Sequence, residues 1–319
     1  MYALAVELLG VEEVMKIVGM TYHMGKPTEL NSFNEKGIPK NANINTGGIA
    51  LCSYIRNVAL KNKTKAQVFD YVLNFLKDLA GGKYVSFSNL SYMAEKESMS
   101  KNKSIIYHLK KKKCLAENAN LDDLEFYFTT CSFEVDAHSF STMGATIANY
   151  GINPVTKKQV LKVETCKYTM AMMQYCTPTP TWIRDVGLPA ARGASGAFLL
   201  ILPRQFAICL FSPRIDNYYS SYRAKSFCQA LAYHYNLNIF HVKSRLEKET
   251  EERKSIKVLK PCQWHCVLYA IASSGTAVDL ASMGFTPLDD AKFFKQEVVI
   301  EYLEKWISLK TGIPASNNE

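Results

Sequence analysis

The sequence predicts an α+β fold, a layered α/β arrangement that is mostly helical. Apolar residues recur at helical spacing through most of the first 175 residues. The period then changes, because GAFLLILP (196–203) and QFAICLFS (205–212) are continuous apolar runs joined at Pro203-Arg204. Such runs are typical of two strands of a buried hairpin, and helices packed on a small antiparallel sheet give this class.

The elements follow in chain order. An opening helix over 1–19 has no Ser, Thr, Asp or Asn ahead of it as an N-cap. The helix that starts at Lys65 carries Lys and then Gly-Gly at its end, a usual C-terminal signal. A loop is predicted over 21–45, and residues 84–103 are a polar stretch for which no helix or strand is predicted. The remaining predicted elements are helices over 46–60, 65–82, 104–113, 121–132, 138–149, 157–175 and 221–235, and a short strand LNIFHV (237–242).

The chain divides into three parts. Residues 1–243 form the main domain, and the charged segment over 244–260 predicts a linker or a solvated helix. Residues 261–319 carry about one ankyrin-like repeat, GFTPLDDAKFFKQEVVIEYLEKW, at 284–306. A single repeat does not bury its own apolar face, so this tail needs a neighbour.

Composition excludes several classes of function. The net charge is +9, but the basic run Lys110–Lys113 has no zinc-finger spacing or nucleic-acid motif beside it, so we expect no nucleic-acid partner. No apolar run approaches the roughly 18 residues of a membrane span. The nine scattered cysteines fit free thiols in a reducing compartment. CQWHC (262–266) lacks a second pair at ligand spacing, so we expect neither a metal nor a cofactor.

Four segments place an amide, a carboxylate or a phenol beside Gly or Ser near a predicted helix or strand. Ordinary explanations exist for each one: Asn45 can cap a helix, Glu95 and Asn102 can be solvated, and Tyr127 can be a core residue. The Gly-rich turn before the hairpin can present backbone N–H groups to an oxyanion. The segments are NANINTGGIA (41–50), EKESMSKN (95–102), EFYFTTCS (125–132) and DVGLPAARGASGAF (185–198).

Taken together and in order, these segments resemble the serine-dependent glutaminases, the animal type in particular. The resemblance covers about residues 1–243, and the ankyrin-like tail is also an animal-type feature. It implies a β-lactamase-like fold and the hydrolysis of L-glutamine to L-glutamate and ammonia. Further matching segments are VFDYVLNFLKDLAGGKYVSFSN (68–89), YHLKKKKC (107–114), FYFTTCSFEV (126–135), MGATIANYGINPVT (143–156), VGLPA (186–190) and FSPRID (211–216).

The resemblance implies substrate-binding roles for five positions. Asn45 matches the family's glutamine-holding Asn, and Glu95 and Asn102 match the groups that hold the α-amino and α-carboxylate ends. Tyr127 matches the first pocket tyrosine, and Ala194 stands where the backbone oxyanion donor lies. These residue types suit the task, because a zwitterion needs an acceptor for its ammonium and donors for its carboxylate.

Several positions depart from the family pattern. The second pocket tyrosine falls at Cys176, with Tyr175 one place away as the candidate substitute. Ala191-Arg192 replace the Lys-Ser of the family's turn, which brings a cation near the oxyanion position. The other departures are TYHMG (21–25) for E-P-S-G and Tyr219-Ser220 for Gly-Asn.

The family's nucleophile is the Ser of an S-x-x-K motif that lies upstream of the opening helix. The sequence starts after that point, so we assign no catalytic residue and expect hydrolysis to be impaired. Ser98-x-x-Lys101 and Ser100-x-x-Lys103 match the letters by chance in a Ser/Lys-rich segment. The alternatives are a fragment of a working enzyme, a non-catalytic subunit that assembles with or regulates active glutaminase, and an interaction module built on the tail.

The resemblance also implies partners and a location. The ligand is L-glutamine, and the chain forms a homo-oligomer, a tetramer in the family, or a hetero-assembly with active glutaminase. The family implies mitochondria. If Met1 is the true start, no Arg/Ser-rich presequence is present and we expect the cytosol instead.

Overall fold

The computed structural model describes residues 1–240, except 24, 177, 178, 180 and 214, together with the backbone of 267–270. The predicted linker over 244–260 and the rest of the ankyrin-like tail, with the Cys262–Cys266 segment, lie outside the described residues. Within the described part the fold is α+β, as the sequence predicts.

The elements run in the following order. The helices are α1 (Tyr2–Leu9), α2 (Val11–Ile17), α3 (Asn45–Tyr54) with a π-helical turn (Ile55–Ala59), α4 (Lys65–Leu79), α5 (Asn89–Glu97), α6 (Ser100–Lys111), α7 (Asp122–Cys131), α8 (Ala137–Ala148), α9 (Val163–Tyr175), α10 (Trp182–Asp185) and α11 (Tyr222–His234). The strands are β1 (Val85–Phe87), β2 (Phe133–Val135), β3 (Ala190–Arg192), β4 (Ala197–Leu202), β5 (Phe206–Phe211) and β6 (Val267–Ala270).

The first half of the chain is a helical module with its own apolar core. Helices α1 to α4, α6 and α7 converge on fully buried side chains that include Leu4, Ile49, Ile105 and Phe128. The two-stranded sheet β1–β2 is antiparallel, and β1 packs beside α4. The apolar residues that recur at helical spacing in the sequence are therefore those that face this shared core.

The second half is a sheet with helices on both faces. Its order is β3-β4-β5-β6, antiparallel up to β5 and parallel between β5 and β6. On β4, Phe198 and Leu200 pack on the side of α10 and α11, and Leu199 and Ile201 pack on the side of α8 and α9. Both faces are covered, so β4 and β5 are apolar at every position.

Some predicted elements are wrong. The opening helix is two helices separated at Gly10, whose φ of 83° interrupts the helical backbone. Residues 157–162 are not helical, because α9 starts at Val163. The polar stretch 84–103, for which no helix or strand is predicted, holds β1, α5 and the start of α6, and residues 237–240 are not a strand. The missed elements carry little periodic signal: β1 to β3 have three residues each, and α5 buries none of its residues.

The seven described cysteines are free thiols, and six of them are buried. Within the same part of the chain, none of the helices is long and apolar enough to cross a bilayer.

The turn between β3 and β4 gives a stability prediction. Gly196 has a φ of +92°, and an added Cβ would collide with the Ser212 carbonyl oxygen. Gly37 has a φ of +75°, but nothing lies within 4 Å of its added Cβ. We expect Gly37→Ala to cost about 1 kcal/mol from backbone strain alone, and Gly196→Ala to cost about 1–3 kcal/mol more.

The measurement is urea unfolding of both variants and of the wild type. Equal midpoints for the two variants would contradict the close approach of Gly196 to the 212 carbonyl. The comparison isolates that contact, because both variants place a Cβ on a backbone with positive φ.

Candidate active site

The site begins at the first turn of α3. The Asn45 N–H donates to the Pro27 carbonyl at 3.0 Å, which ties the helix start to the loop over 21–30. The N-cap is Ile44, and no side chain caps the helix. The ordinary explanation of Asn45 as a helix cap is therefore wrong, because its side chain is used elsewhere.

Asn45 is hydrogen-bonded to Asn102 on α6. Its Nδ2 donates to the Asn102 Oδ1 at 2.9 Å across 57 residues of sequence. Asn102 is 5% exposed, so the expectation of an ordinary solvated residue is wrong. The bond leaves the Asn102 Nδ2 as a donor and the Asn45 Oδ1 as an acceptor beside it.

Tyr127 and Glu95 complete this group of four side chains, which we call the amide cluster. The Tyr127 ring lies against Gly48, one turn after Asn45, where an added Cβ would come within 2.8 Å of its Cε2. Burial raises the pKa of Tyr127 well above its usual value, and nearby Cys131, Cys52 and Glu95 raise it further. Burial also raises the pKa of Glu95. The phenol is thus neutral, and the carboxylate is partly desolvated.

A cavity of about 190 Å³ adjoins the start of α3. It lies where the loops of the helical module meet the end of β3. Two neighbours of Asn45 belong to the cavity wall: Ile44, which precedes it in the chain, and Pro27, whose carbonyl accepts its N–H. The lining residues are Tyr22, His23, Gly25, Pro27, Asn41, Asn43, Ile44, Cys176, Arg192, Ala194 and Tyr219.

Arg192 and Cys176 set the electrostatics of the cavity. Burial lowers the pKa of Arg192, and the nearby groups Tyr22 and Asp216 oppose this change. An arginine keeps its charge in proteins, so the cavity wall contains a cation. Burial raises the pKa of Cys176 to about 12 despite Arg192, so its thiol is protonated near neutral pH.

Ala194 lies in the exposed turn between β3 and β4. The turn is closed by two backbone bonds, from the Gly193 N–H to the Ala197 carbonyl at 2.9 Å and from the Gly196 N–H to the Gly193 carbonyl at 3.0 Å. The Ala194 N–H donates to no backbone carbonyl of the described residues. Within the described part of the chain this N–H thus has no backbone acceptor, and Ala194 lies at the cavity wall.

Comparison with known proteins shows the family of this chain. The family model described as Glutaminase matches residues 1–240. This chain belongs to the glutaminase family. The mitochondrial liver isoform of glutaminase from Rattus norvegicus is 37% identical over 78% of this chain. A glutaminase of Legionella pneumophila is 31% identical over 64% of it.

The fold of the family is also shared. The structure of Mglu in its native form superposes with a TM-score of 0.67 at 24% identity, over 76% of this chain and 59% of that one. The probable glutaminase of Bacillus subtilis gives 0.67 at 22% identity, over 75% and 79%. The fold is thus the β-lactamase-like fold of glutaminases. The present chain spans 42% of the rat protein and 64% of the Legionella protein.

The glutaminase-like positions are not all brought together. Asn45, Glu95, Asn102 and Tyr127 form the amide cluster, and Ala194 lines the adjoining cavity. Tyr175 ends α9 with 58% of its surface exposed, and the neighbouring Cys176 lines the cavity in its place. Ser98, Ser100, Lys101 and Lys103 are exposed, as expected for chance matches to S-x-x-K.

Sequence reasoning assigned no role to several residues that line this cavity, among them Tyr22, His23, Asn41 and Asn43. Tyr22 and His23 lie in TYHMG (21–25), which was noted only as a departure from the E-P-S-G motif of the family. Asn41 and Asn43 precede the helix, and their role is partly structural, since Asn41 donates its Nδ2 to the Thr21 carbonyl at 2.8 Å. These residues could be identified only from the structure, in which the loop over 21–30 lies next to the end of β3.

The raised pKa of Glu95 gives a pH-dependent prediction. Because the folded state disfavours the ionised carboxylate, the wild type loses stability as the pH rises through the pKa of Glu95. We expect Glu95→Gln to raise the melting temperature of the ligand-free protein at pH 7, with the difference vanishing below about pH 4.

The control is Glu97→Gln, an exposed position on the same helix. Thermal melts of both variants from pH 4 to pH 8 provide the measurement. A Glu95→Gln protein that is less stable than the wild type at pH 7 would contradict the desolvated environment of this carboxylate.

Proposed function

We propose that this glutaminase-family chain binds L-glutamine or an amino acid of the same length, and that its hydrolysis of the side-chain amide is impaired. The observation that carries the proposal is the hydrogen bond between Asn45 and Asn102. It joins two distant segments into one polar group, and it leaves a donor and an acceptor free for a ligand.

The amide cluster suits the zwitterionic end of an amino acid. The Glu95 carboxylate can accept hydrogen bonds from an ammonium group, which would also compensate its burial. The Asn102 Nδ2 can donate to the α-carboxylate, because its Oδ1 is already held by Asn45. Tyr127 adds a neutral hydroxyl to the same group. These groups lie on four different helices, whose packing holds them in place before any ligand arrives.

The far end of the ligand would enter the cavity. The Ala194 N–H is suited to an amide oxygen there, as an oxyanion donor would be. The described residues that line the cavity include neither Ser nor Lys, and the Cys176 thiol with a pKa of about 12 is a weak nucleophile. These features support impaired hydrolysis by the residues described here.

Calorimetric titration with L-glutamine, combined with an ammonia-release assay, tests the proposal on the full chain. We expect binding without glutaminase-level turnover. Asn102→Ala should weaken binding by about 10-fold or more, because a hydrogen bond to a charged group is lost. The matched control is Asn74→Ala, an exposed Asn on α4.

Two results would overturn this function. The first is the absence of amino-acid binding by the folded wild type. The second is rapid release of ammonia, which would show that the chain is an active glutaminase. Its nucleophile would then lie outside the described residues that line the cavity.

We propose assembly as a second property, supported by the surface of α5. This helix buries none of its residues and exposes Leu90 at 83% and Met93 at 47%, one turn apart. The partner is a second copy of the chain or an active glutaminase. Light scattering after gel filtration is expected to give an oligomer.

The double change Leu90→Ser and Met93→Ser should shift the chain toward the monomer mass. Val58→Ser, at an exposed apolar residue on the π-helical turn, is the control. A wild type that is monomeric, both alone and mixed with an active glutaminase, would contradict assembly through α5.

For the location we propose mitochondria, because the rat relative is a mitochondrial protein by name. Fractionation of cells followed by immunodetection of the endogenous protein tests this. Recovery only in the cytosolic fraction would refute it.

A further inference from the structure

The loop over 21–30 places a histidine with a fixed tautomer in the wall of the cavity. His23 is 7% exposed and lines the cavity. Its Nε2 lies 3.1 Å from the Lys26 carbonyl oxygen and 3.6 Å from the Glu29 Oε2. A carbonyl oxygen and an ionised carboxylate only accept hydrogen bonds, so Nε2 carries the proton and donates. The neutral ring therefore offers Nδ1 as an acceptor.

Hydrogen bonds within the loop hold this arrangement. The Lys26 N–H donates to the Glu29 Oε1 at 2.8 Å, and the Ser32 hydroxyl donates to the Glu29 carbonyl at 2.7 Å. A Cβ added at Gly25 would collide with the Glu29 carboxylate, which shows how closely this carboxylate packs on the loop backbone. The loop itself thus sets the tautomer of His23.

Two buried polar atoms at the cavity, the His23 Nδ1 and the Tyr22 Oη, have no hydrogen-bond partner among the described residues. Burial raises the pKa of Tyr22, so its hydroxyl stays protonated near neutral pH and can both donate and accept. The Asn41 amide is used elsewhere, since it donates to the Thr21 carbonyl at 2.8 Å and accepts from the Asn43 N–H at 2.9 Å. Buried polar atoms without partners destabilise a protein, so two of them at one cavity point to a ligand.

The ligand group that fits this wall must donate a hydrogen bond to Nδ1. A carboxylate or a ketone has only acceptor oxygens and would leave the neutral His23 without a partner. A primary carboxamide has N–H donors beside an acceptor oxygen. One N–H can donate to the His23 Nδ1, and the oxygen can accept from the Tyr22 hydroxyl or from the Ala194 N–H, which has no backbone acceptor in the described part of the chain.

We propose that His23 is a specificity-determining residue of the cavity and selects an uncharged primary carboxamide over a carboxylate or a ketone of the same shape. For its natural ligand the inference rests on the proposed function, because the side chain of L-glutamine ends in this group. The recognition itself concerns the cavity alone. It requires no contact from the amide cluster or from Arg192.

The test uses small probes that lack an amino-acid head group: butyramide, its ketone isostere 2-pentanone, and butyrate. Each is titrated into the full chain labelled with 15N-histidine at about pH 8, where a histidine is ordinarily neutral, and side-chain 15N NMR follows binding. We expect the Kd of butyramide to be about 10-fold below that of either other probe, because each of those leaves a buried acceptor unpaired. The His23 Nδ1 should carry no proton in the ligand-free protein, and its signal should shift with butyramide.

Two substitutions separate the roles of the two ring nitrogens. A Gln amide reaches the position of Nε2, and an Asn amide reaches that of Nδ1. His23→Gln should therefore bring the Kd of butyramide to within about 3-fold of that of 2-pentanone, whereas His23→Asn should keep part of the preference. The control is His138→Gln, at an exposed position on α8 outside the cavity wall, which should keep the wild-type preference.

The outcomes separate this inference from the function on which it rests. Binding of 2-pentanone or butyrate as tight as that of butyramide overturns the selection by His23, as does a proton on Nδ1 in the ligand-free protein. Binding of none of the probes leaves water as the partner of both atoms and also overturns the inference. If L-glutamine still binds in that case, the proposed function stands, and it fails only if L-glutamine does not bind. Circular dichroism verifies the fold of each variant, and the wild-type Kd ratio with the Nδ1 signal decides the matter if His23→Gln does not fold.

Discussion

The structure depends on the burial of one hairpin, β4–β5, on both of its faces. Phe198, Leu200 and their β5 partners face one helical layer, and Leu199, Ile201, Ala207 and Cys209 face the other. Neither layer could cover both faces, because side chains alternate along a strand. The close approach of α8 shows how tight this packing is: a Cβ added at Gly144 would lie 2.7 Å from the Ala207 Cβ. The sheet is therefore a rigid platform, and its edge at β3 is where a site can be placed precisely.

The candidate site lies at the seam between this platform and the helical module. Cys176 illustrates the seam, because it belongs to the core of the helical module and also lines the cavity. The helices supply the amide cluster, while the β3 end and its turn supply Arg192 and Ala194. The two halves of a ligand would therefore be recognised by two differently built parts of the protein. A change at the β3 turn can alter the distal chemistry without disturbing the head-group end.

Much of this fold was predictable, and the misses have physical causes. Long helices such as α4 and α8 and the β4–β5 hairpin carry strong patterns, because each buries a face or both faces. Three-residue strands and the unburied α5 carry almost none. Gly10 interrupts the opening helix through its backbone, a feature that apolar spacing does not report. The site divides in the same way. The resemblance of local sequence segments to glutaminases predicted Asn45, Glu95, Asn102 and Tyr127. The positions of Tyr22 and His23 at the cavity depend on the path of a loop, which only the structure gives.

The two ends of the site differ in how freely they can change. The amide cluster is constrained by backbone contacts, since Gly48 leaves room for the Tyr127 ring and Asn102 is almost fully buried. Substitution there would disturb packing as well as binding. Arg192 and Ala194 instead occupy a partly exposed strand end and turn, where side chains can change without refilling a core. A chain that keeps the fold and head-group chemistry of glutaminases, and changes what it does at the distal group, would be expected to change at these positions. Arg192 occupies such a position, whereas Cys176 is buried in the core of the helical module.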